Sequence, residues 1–386
     1  MSASPFFKQR VMTPGPTAVP EEVLLEMAQP IIHHRTKAFQ AIFGEVSERL
    51  QWLFKTKQPV LTIAGSGTTA FEAAQVSLIK PGSKALTIAG GKFGERWQDI
   101  YDTYGVAQEK INVNWGDAAD PAQVEEVLKA NPDISIVTVV ASETSTATAS
   151  DVKAIADIVS KTDALLIVDG ITAVGTLPVE MDEWGIDVLV TGSQKALMLP
   201  PGLGFVGLGE RAVKRLEEAG DLTAYNLDLR KWLKSYAKND VPFTPPVSLI
   251  RGQRVALEML EKRGLENIWE CCAKLAKASR DAFEAMGLKL ASTSPSDSVS
   301  GAYYPDGIDD SIRGKVRDNH GVHIAGGQDG RGAKWKGKIL RYSHMGYVDA
   351  GDTFAALGAI EAELIAAGFS VAPGTGIAAA AKSLFG

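Results

Sequence analysis

Between about Glu21 and Gly209, short β-branched runs alternate with longer segments of helical periodicity, and that alternation constrains the fold more than any other feature. Six runs have strand length, at 60–63, 85–88, 134–140, 165–168, 188–190 and 204–206, each bounded by Gly, Pro, Asp or Ser. Helices are predicted in most of the gaps, for example over 69–79, 120–130 and 151–159. This order predicts an α/β fold with a large, doubly wound, mostly parallel sheet. After Val247 the pattern changes to a helical tract over 248–286, short strands near 288–291, 301–304, 323–325 and 339–342, and a helix over 352–367. The expected organisation is an N-terminal arm (1–20), a large domain (21–250) and a smaller C-terminal α+β domain (251–386).

Charge and composition narrow the partners. A formal net charge of −6 and the absence of a long Lys/Arg run exclude the electrostatic footprint of a nucleic-acid or anionic-membrane binder. The apolar runs are strand-length, far below a membrane span, and no segment of the first 20 residues resembles the apolar centre of a signal peptide. A cytoplasmic protein acting on small molecules is expected. The two cysteines, Cys271 and Cys272, are adjacent on a helical stretch. They can form no disulfide framework and lack the ligand count of a zinc or iron–sulfur site, so Cys272 is read as core and Cys271 as its edge.

Four motifs fall at the ends of successive predicted strands, where open α/β sheets bind ligands. Thr191-Gly-Ser-Gln-Lys195 places a lysine there. Leu165-Leu-Ile-Val-Asp169 ends an apolar strand in a carboxylate, the group that pyridoxal 5'-phosphate (PLP) chemistry needs beside its ring nitrogen. Ile63-Ala-Gly-Ser-Gly-Thr-Thr69 is a small-residue turn opening a helix, and backbone N–H groups there suit a phosphate ester. Gly90-Gly-Lys-Phe-Gly-Glu-Arg-Trp97 offers an aromatic ring for stacking on a flat cofactor. Each alone also fits a solvated lysine, a capping Asp, a tight turn or a core Trp. Their joint occurrence is the argument for PLP.

With these motifs, Pro14-Gly-Pro-Thr17, His33-His-Arg35, Glu143-Thr-Ser-Thr146, Phe243-Thr-Pro-Pro-Val247 and Leu340-Arg341 complete a resemblance, over about residues 13–347, to the fold-type I, class V aminotransferases of the alanine–glyoxylate, serine–pyruvate and serine–glyoxylate group. The resemblance implies transamination between a small L-amino acid, alanine or serine, and a 2-oxo acid, glyoxylate or pyruvate. It makes Lys195 the Schiff-base lysine and proton shuttle and Asp169 the ring-nitrogen partner. It puts Trp97 on the ring, Ser66, Gly67, Thr68 and Gln194 at the phosphate, Ser145 near the ring hydroxyl, and Gly15 and Arg341 at the substrate. It also implies a homodimer in which Thr244 reaches the neighbouring subunit's phosphate. Val241 stands where some relatives have a tyrosine, Thr68 where animal relatives often have histidine, and Ala147 where a glycine is common. Other PLP reactions on this scaffold (aminoethylphosphonate transamination, a lyase reaction, desulfuration) and a non-catalytic binding module remain the alternatives. Desulfuration would require a mobile cysteine, which a helical Cys271-Cys272 pair does not provide.

Overall fold

The computed structural model describes residues 8–386 except Pro81 and Thr223, so the first seven residues of the expected arm lie outside the described residues. Seven strands form the main sheet: β1 (Val60–Gly65), β2 (Lys84–Ala89), β3 (Ala107–Asn112), β4 (Ile134–Val140), β5 (Leu165–Asp169), β6 (Val188–Gly192) and β7 (Gly202–Leu208). Their order is β1-β7-β6-β5-β4-β2-β3, and every pairing is parallel except the two made by β7. β5 and β6 are buried throughout, which is why they read as unbroken apolar runs. β3 has no such run: it is an edge strand in which only Ile111 is buried, so neither apolarity nor alternation marks it.

The reversal at β7 shapes the turn that carries Lys195. β6 ends at Gly192, and the chain doubles back so that Gly204 pairs with Gly192 on one side and Gly202 with Gly65 on the other. Ser193 braces the turn: its Oγ donates to Pro200 O (2.8 Å) and accepts from Leu203 N (3.2 Å). Ala196, Leu197 and Leu199 are fully buried beneath it. Lys195 therefore projects from an anchored hairpin and not from a loose loop.

A second, three-stranded antiparallel sheet has β10 (Ile339–Ser343) between β8 (Val299–Tyr303) and β9 (Ala325–Gly326). Arg341 lies on this central strand, opposite Gly301 and Ala325. The main core runs from Val23 to Cys272, and a separate one joins Met12 to side chains between Leu275 and Ala380. The N-terminal segment links them, since Met12 O accepts from Ser343 N and Thr17 donates its N–H to Gln194 O and its hydroxyl to Lys195 O.

The helical tract expected over 248–286 is two helices, Val247–Arg263 and Leu265–Ala285, separated at Gly264. There φ is +81° and ψ 142°, a region that side-chain-bearing residues avoid. Space is not the obstacle, because an added Cβ would meet only Asn267 at 3.5 Å. Gly264→Ala should therefore cost about 1–3 kcal/mol through the backbone alone. Gly314, inside the helix Ser311–His320, has nothing within 4 Å of an added Cβ, so Gly314→Ala should gain about 0.5–1 kcal/mol. Urea midpoints at unchanged m-value check both signs.

Candidate active site

Because β4, β5 and β6 are parallel, their C-terminal ends open on one edge of the sheet, and the β7 reversal brings Gly65 to the same edge. A cavity there is lined by Ser66, Gly67, Thr68, Phe93, Arg96, Asp169, Gln194 and Lys195, with Ser142, Thr144 and Ile171. A larger cavity, bounded by Met198, Arg263, Cys271, Cys272 and His344, contains none of the motif residues that carry chemistry. Size alone does not locate the site; convergence of a desolvated amine and carboxylate does.

Lys195 Nζ donates to Pro14 O at 2.5 Å. Gly15 lies against the amine so closely that an added Cβ would sit 2.1 Å from Nζ, and its φ of +134° also requires glycine. Burial lowers the amine's pKa to about 8, with Asp169 opposing and Arg341 and Arg96 reinforcing the shift. Asp169, 2% exposed, accepts from Ile171 N (3.0 Å) and Trp97 Nε1 (3.3 Å), yet burial raises it to about 7. The two groups are thus both displaced toward neutrality, each disfavouring a charge in a dry site.

The turn after β1 leads directly into the helix Gly67–Leu78. Ser66 caps it, accepting from Thr69 N at 3.4 Å while Thr69 Oγ1 accepts from Ser66 N at 3.0 Å. The remaining first-turn N–H groups have no acceptor within the helix. A side chain at Gly67 would require Ile171 to move, because a Cβ there would lie 2.2 Å from Ile171 Cδ1. Beside the turn, Gln194 Oε1 is buried without a hydrogen-bond partner among the described residues.

Trp97 is not the ring that faces the cavity. It is 1% exposed, packs on Phe71 with ring centroids 4.6 Å apart, and reaches Asp169 from behind. Phe93, one helical turn earlier in Lys92–Thr103, lines the cavity instead. Ser145 is likewise turned away: it is fully buried, donates to Glu143 and accepts from Lys92 N at 2.9 Å, while its neighbour Thr144 lines the cavity. Thr244 is exposed on a loop outside its own chain's cavity. Val241 on that loop is 2% exposed and belongs to the core. Arg341, 4% exposed, donates to Gly326 O (3.0 Å from Nε, 2.6 Å from Nη2) and to Thr144 O. Burial lowers its pKa to about 10, which leaves it protonated at neutral pH.

Two contributors escaped sequence reasoning. Arg96 donates to Thr68 Oγ1 at 3.0 Å and lies 4.9 Å from the Phe93 ring centroid. Glu143 accepts from Phe93 N and Gly94 N (both 3.0 Å), from Ser145 N (3.1 Å) and from the Ser145 hydroxyl. Their motifs name both residues, but spacing alone reveals neither contact.

The arrangement fits PLP on its own terms: an amine and a carboxylate in one desolvated cavity, an aromatic wall and an anion-seeking helix start. Because the Asp169 charge holds the Lys195 proton, Asp169→Asn should lower the amine below about 8 in the cofactor-free protein. Peptide mass spectrometry of amine-directed labelling against pH reads this: half-maximal Lys195 reactivity should move to lower pH, and a move upward would contradict the electrostatics.

The class-V aminotransferase family matches residues 13–337. A protein named soluble hydrogenase, small subunit, from a Synechococcus species is 38% identical over 98% of each chain. L-aspartate–glyoxylate aminotransferase of Paracoccus denitrificans is 35% identical, over 96% of this chain and 94% of that one. The solved pyridoxamine–pyruvate aminotransferase of Mesorhizobium loti superposes with a TM-score of 0.93 at 30% identity, over 100% of this chain and 99% of that one. The chain belongs to the class-V aminotransferases and is a PLP-dependent enzyme of amino-group transfer.

Proposed function

We propose that this enzyme moves the amino group of a small neutral L-amino acid, alanine or serine, to glyoxylate or pyruvate, with Lys195 as anchor and proton carrier. The observation that carries the reading is the Lys195 amine, desolvated to a pKa of about 8 in one cavity with the buried Asp169. PLP supplies an aldehyde and an electron-withdrawing ring. Ser66, Gly67, Thr68 and Gln194 hold its phosphate, and Phe93, in place of Trp97, packs on its ring. Asp169 faces the ring nitrogen, where a cation would restore the carboxylate's charge. Trp97 Nε1 keeps that carboxylate oriented.

Lys195 Nζ would hold the cofactor aldehyde and, once displaced by the substrate amine, would be free to accept the substrate's α-proton and return it. Its lowered pKa gives a usable neutral fraction near pH 7. Arg341 holds the substrate carboxylate by charge-assisted hydrogen bonds, its plane set by Gly326 O and Thr144 O. Gly15 leaves room above the amine. The expected partner is a second copy, with Thr244 reaching the neighbour's phosphate; Leu24, Leu25, Ile31 and Tyr225, all large apolar side chains left exposed, support a homodimer. Two free cysteines suit a reducing cytoplasm.

Donor size rests on the arginines. Arg251 and Arg254 pair with Glu26, and Arg331 pairs with Asp99, so none of these three is committed to the cavity. An acidic side chain would then bury an unpaired carboxylate. The Paracoccus relative's name, which includes aspartate, and the cavity's Arg96 favour a second reading with an acidic donor.

Steady-state kcat/KM for alanine, serine, aspartate and glutamate, each with glyoxylate and with 2-oxoglutarate, separates the readings. Alanine or serine with glyoxylate should exceed either acidic donor by about 10-fold or more; a preference for aspartate or glutamate would sink the neutral-donor reading. Lys195→Ala should reduce turnover on the order of 10³-fold or more. Its unfolding midpoint should change little, because among the described residues Nζ bonds only Pro14 O. Retained single-turnover amino transfer in the variant would remove Lys195 from the reaction.

A further inference from the structure

We infer that Arg96 is a ligand of the cofactor phosphate, supplying the fixed charge that the Ser66–Thr68 turn lacks. This rests on the PLP reading of the cavity and adds to it a residue that the motif-based assignment leaves without a role.

Lys195, Arg96 and Arg341 are the basic side chains that act on this cavity, and Asp169 and Glu143 are its acids. Asp169 lies within electrostatic range of Lys195, and Glu143 of Arg341. Arg96 also acts on Asp169, and none of the three bases makes an ion pair among the described residues; Arg96 differs in that its one side-chain hydrogen bond there goes to the Thr68 hydroxyl of the Ser66–Thr68 turn. A half-buried guanidinium without a carboxylate calls for an anion in the space it lines.

Position identifies which anion. Arg96 Nη1 donates to Thr68 Oγ1 at 3.0 Å, and Thr68 is in the first turn of Gly67–Leu78, where backbone N–H groups and the helix dipole already favour negative charge. The Phe93 ring, 4.9 Å from the guanidinium carbon, supports it from within the same helix. Arg341 is held elsewhere, by Thr144 O and Gly326 O. One arginine therefore serves the phosphate turn and the other the substrate carboxylate. A guanidinium retains several N–H donors after one bond to a hydroxyl, enough to reach a phosphate oxygen.

The test compares PLP with pyridoxal, which lacks the phosphate, binding to full-length protein stripped of cofactor, followed by fluorescence quenching. Arg96→Gln should weaken PLP by about 10- to 100-fold while changing pyridoxal affinity by less than about 3-fold, and Arg96→Lys should fall between. Inorganic phosphate should compete with PLP less effectively in Arg96→Gln than in wild type. An unchanged PLP affinity with a raised KM for aspartate would assign Arg96 to the substrate and overturn the proposal. Equal losses for PLP and pyridoxal would overturn it too, by making Arg96 a support for Phe93. If wild type binds PLP no more tightly than pyridoxal, the phosphate site itself fails, an outcome distinct from failure of Arg96 within a working site.

Discussion

The buried Glu143 carboxylate joins the turn after β4 to the start of the helix Lys92–Thr103. One oxygen accepts from Phe93 and Gly94 at the start of the helix Lys92–Thr103, and the other accepts twice from Ser145. Burial raises its pKa, and these four hydrogen bonds act against that shift. A carboxylate at a helix N-terminus is also favoured by the helix dipole. The contact leaves no room for a side chain at Gly91, where a Cβ would lie 2.4 Å from Glu143 Cγ. By fixing where this helix begins, Glu143 sets the positions of Phe93 at the cavity, Arg96 at Thr68 and Trp97 at Asp169. By fixing the turn after β4, it presents Thr144 O to Arg341.

Desolvation acts on the same groups with opposite signs. It pushes the Lys195 amine down and the Asp169 carboxyl up, so that both lie near neutrality. In the cofactor-free protein the raised Asp169 binds more protons folded than unfolded between its ordinary value of 3.8 and about 7. Its contribution to stability therefore falls as pH rises through that window. Lys195, lowered from 10.5 to about 8, contributes the opposite slope between those values. The site stores unfavourable desolvation that a ligand of matching charge relieves, and any ligand that does so stabilises the fold by mass action.

Much of this was legible in the sequence because burial on both faces writes itself as apolarity. β5 and β6 are unbroken apolar runs, and their ends mark Asp169 and the Lys195 turn. What was not legible depends on depth and direction. Phe93 and Trp97 are four residues apart and share a helix face, so spacing shows an aromatic face but not which turn meets the ligand. The adjacent Thr144 and Ser145 are both small and polar; only the hydrogen bonds to Glu143 and Lys92 show that Ser145 points inward. β3 is invisible because an edge strand needs little apolar surface. Gly264 separates two helices whose periodicities run on without a visible break.

Arg341 shows why the smaller sheet belongs to the site at all. Its strand lies between two others, and Gly301 opposite it has no side chain: a Cβ there would be 3.2 Å from Arg341 Cγ. The long side chain therefore crosses its neighbour strand's surface without obstruction and places its guanidinium between Gly326 O of its own sheet and Thr144 O at the end of β4. The N-terminal segment makes the same crossing in the other direction, from Ser343 to Gln194 and Lys195. The arginine strand is thus tied to the turn after β4 through Arg341 and to the lysine turn through the N-terminal segment. A rotation of one core against the other would strain both contacts, one made by the Arg341 side chain and one by the N-terminal segment, so the separation of cation and amine depends on the two together.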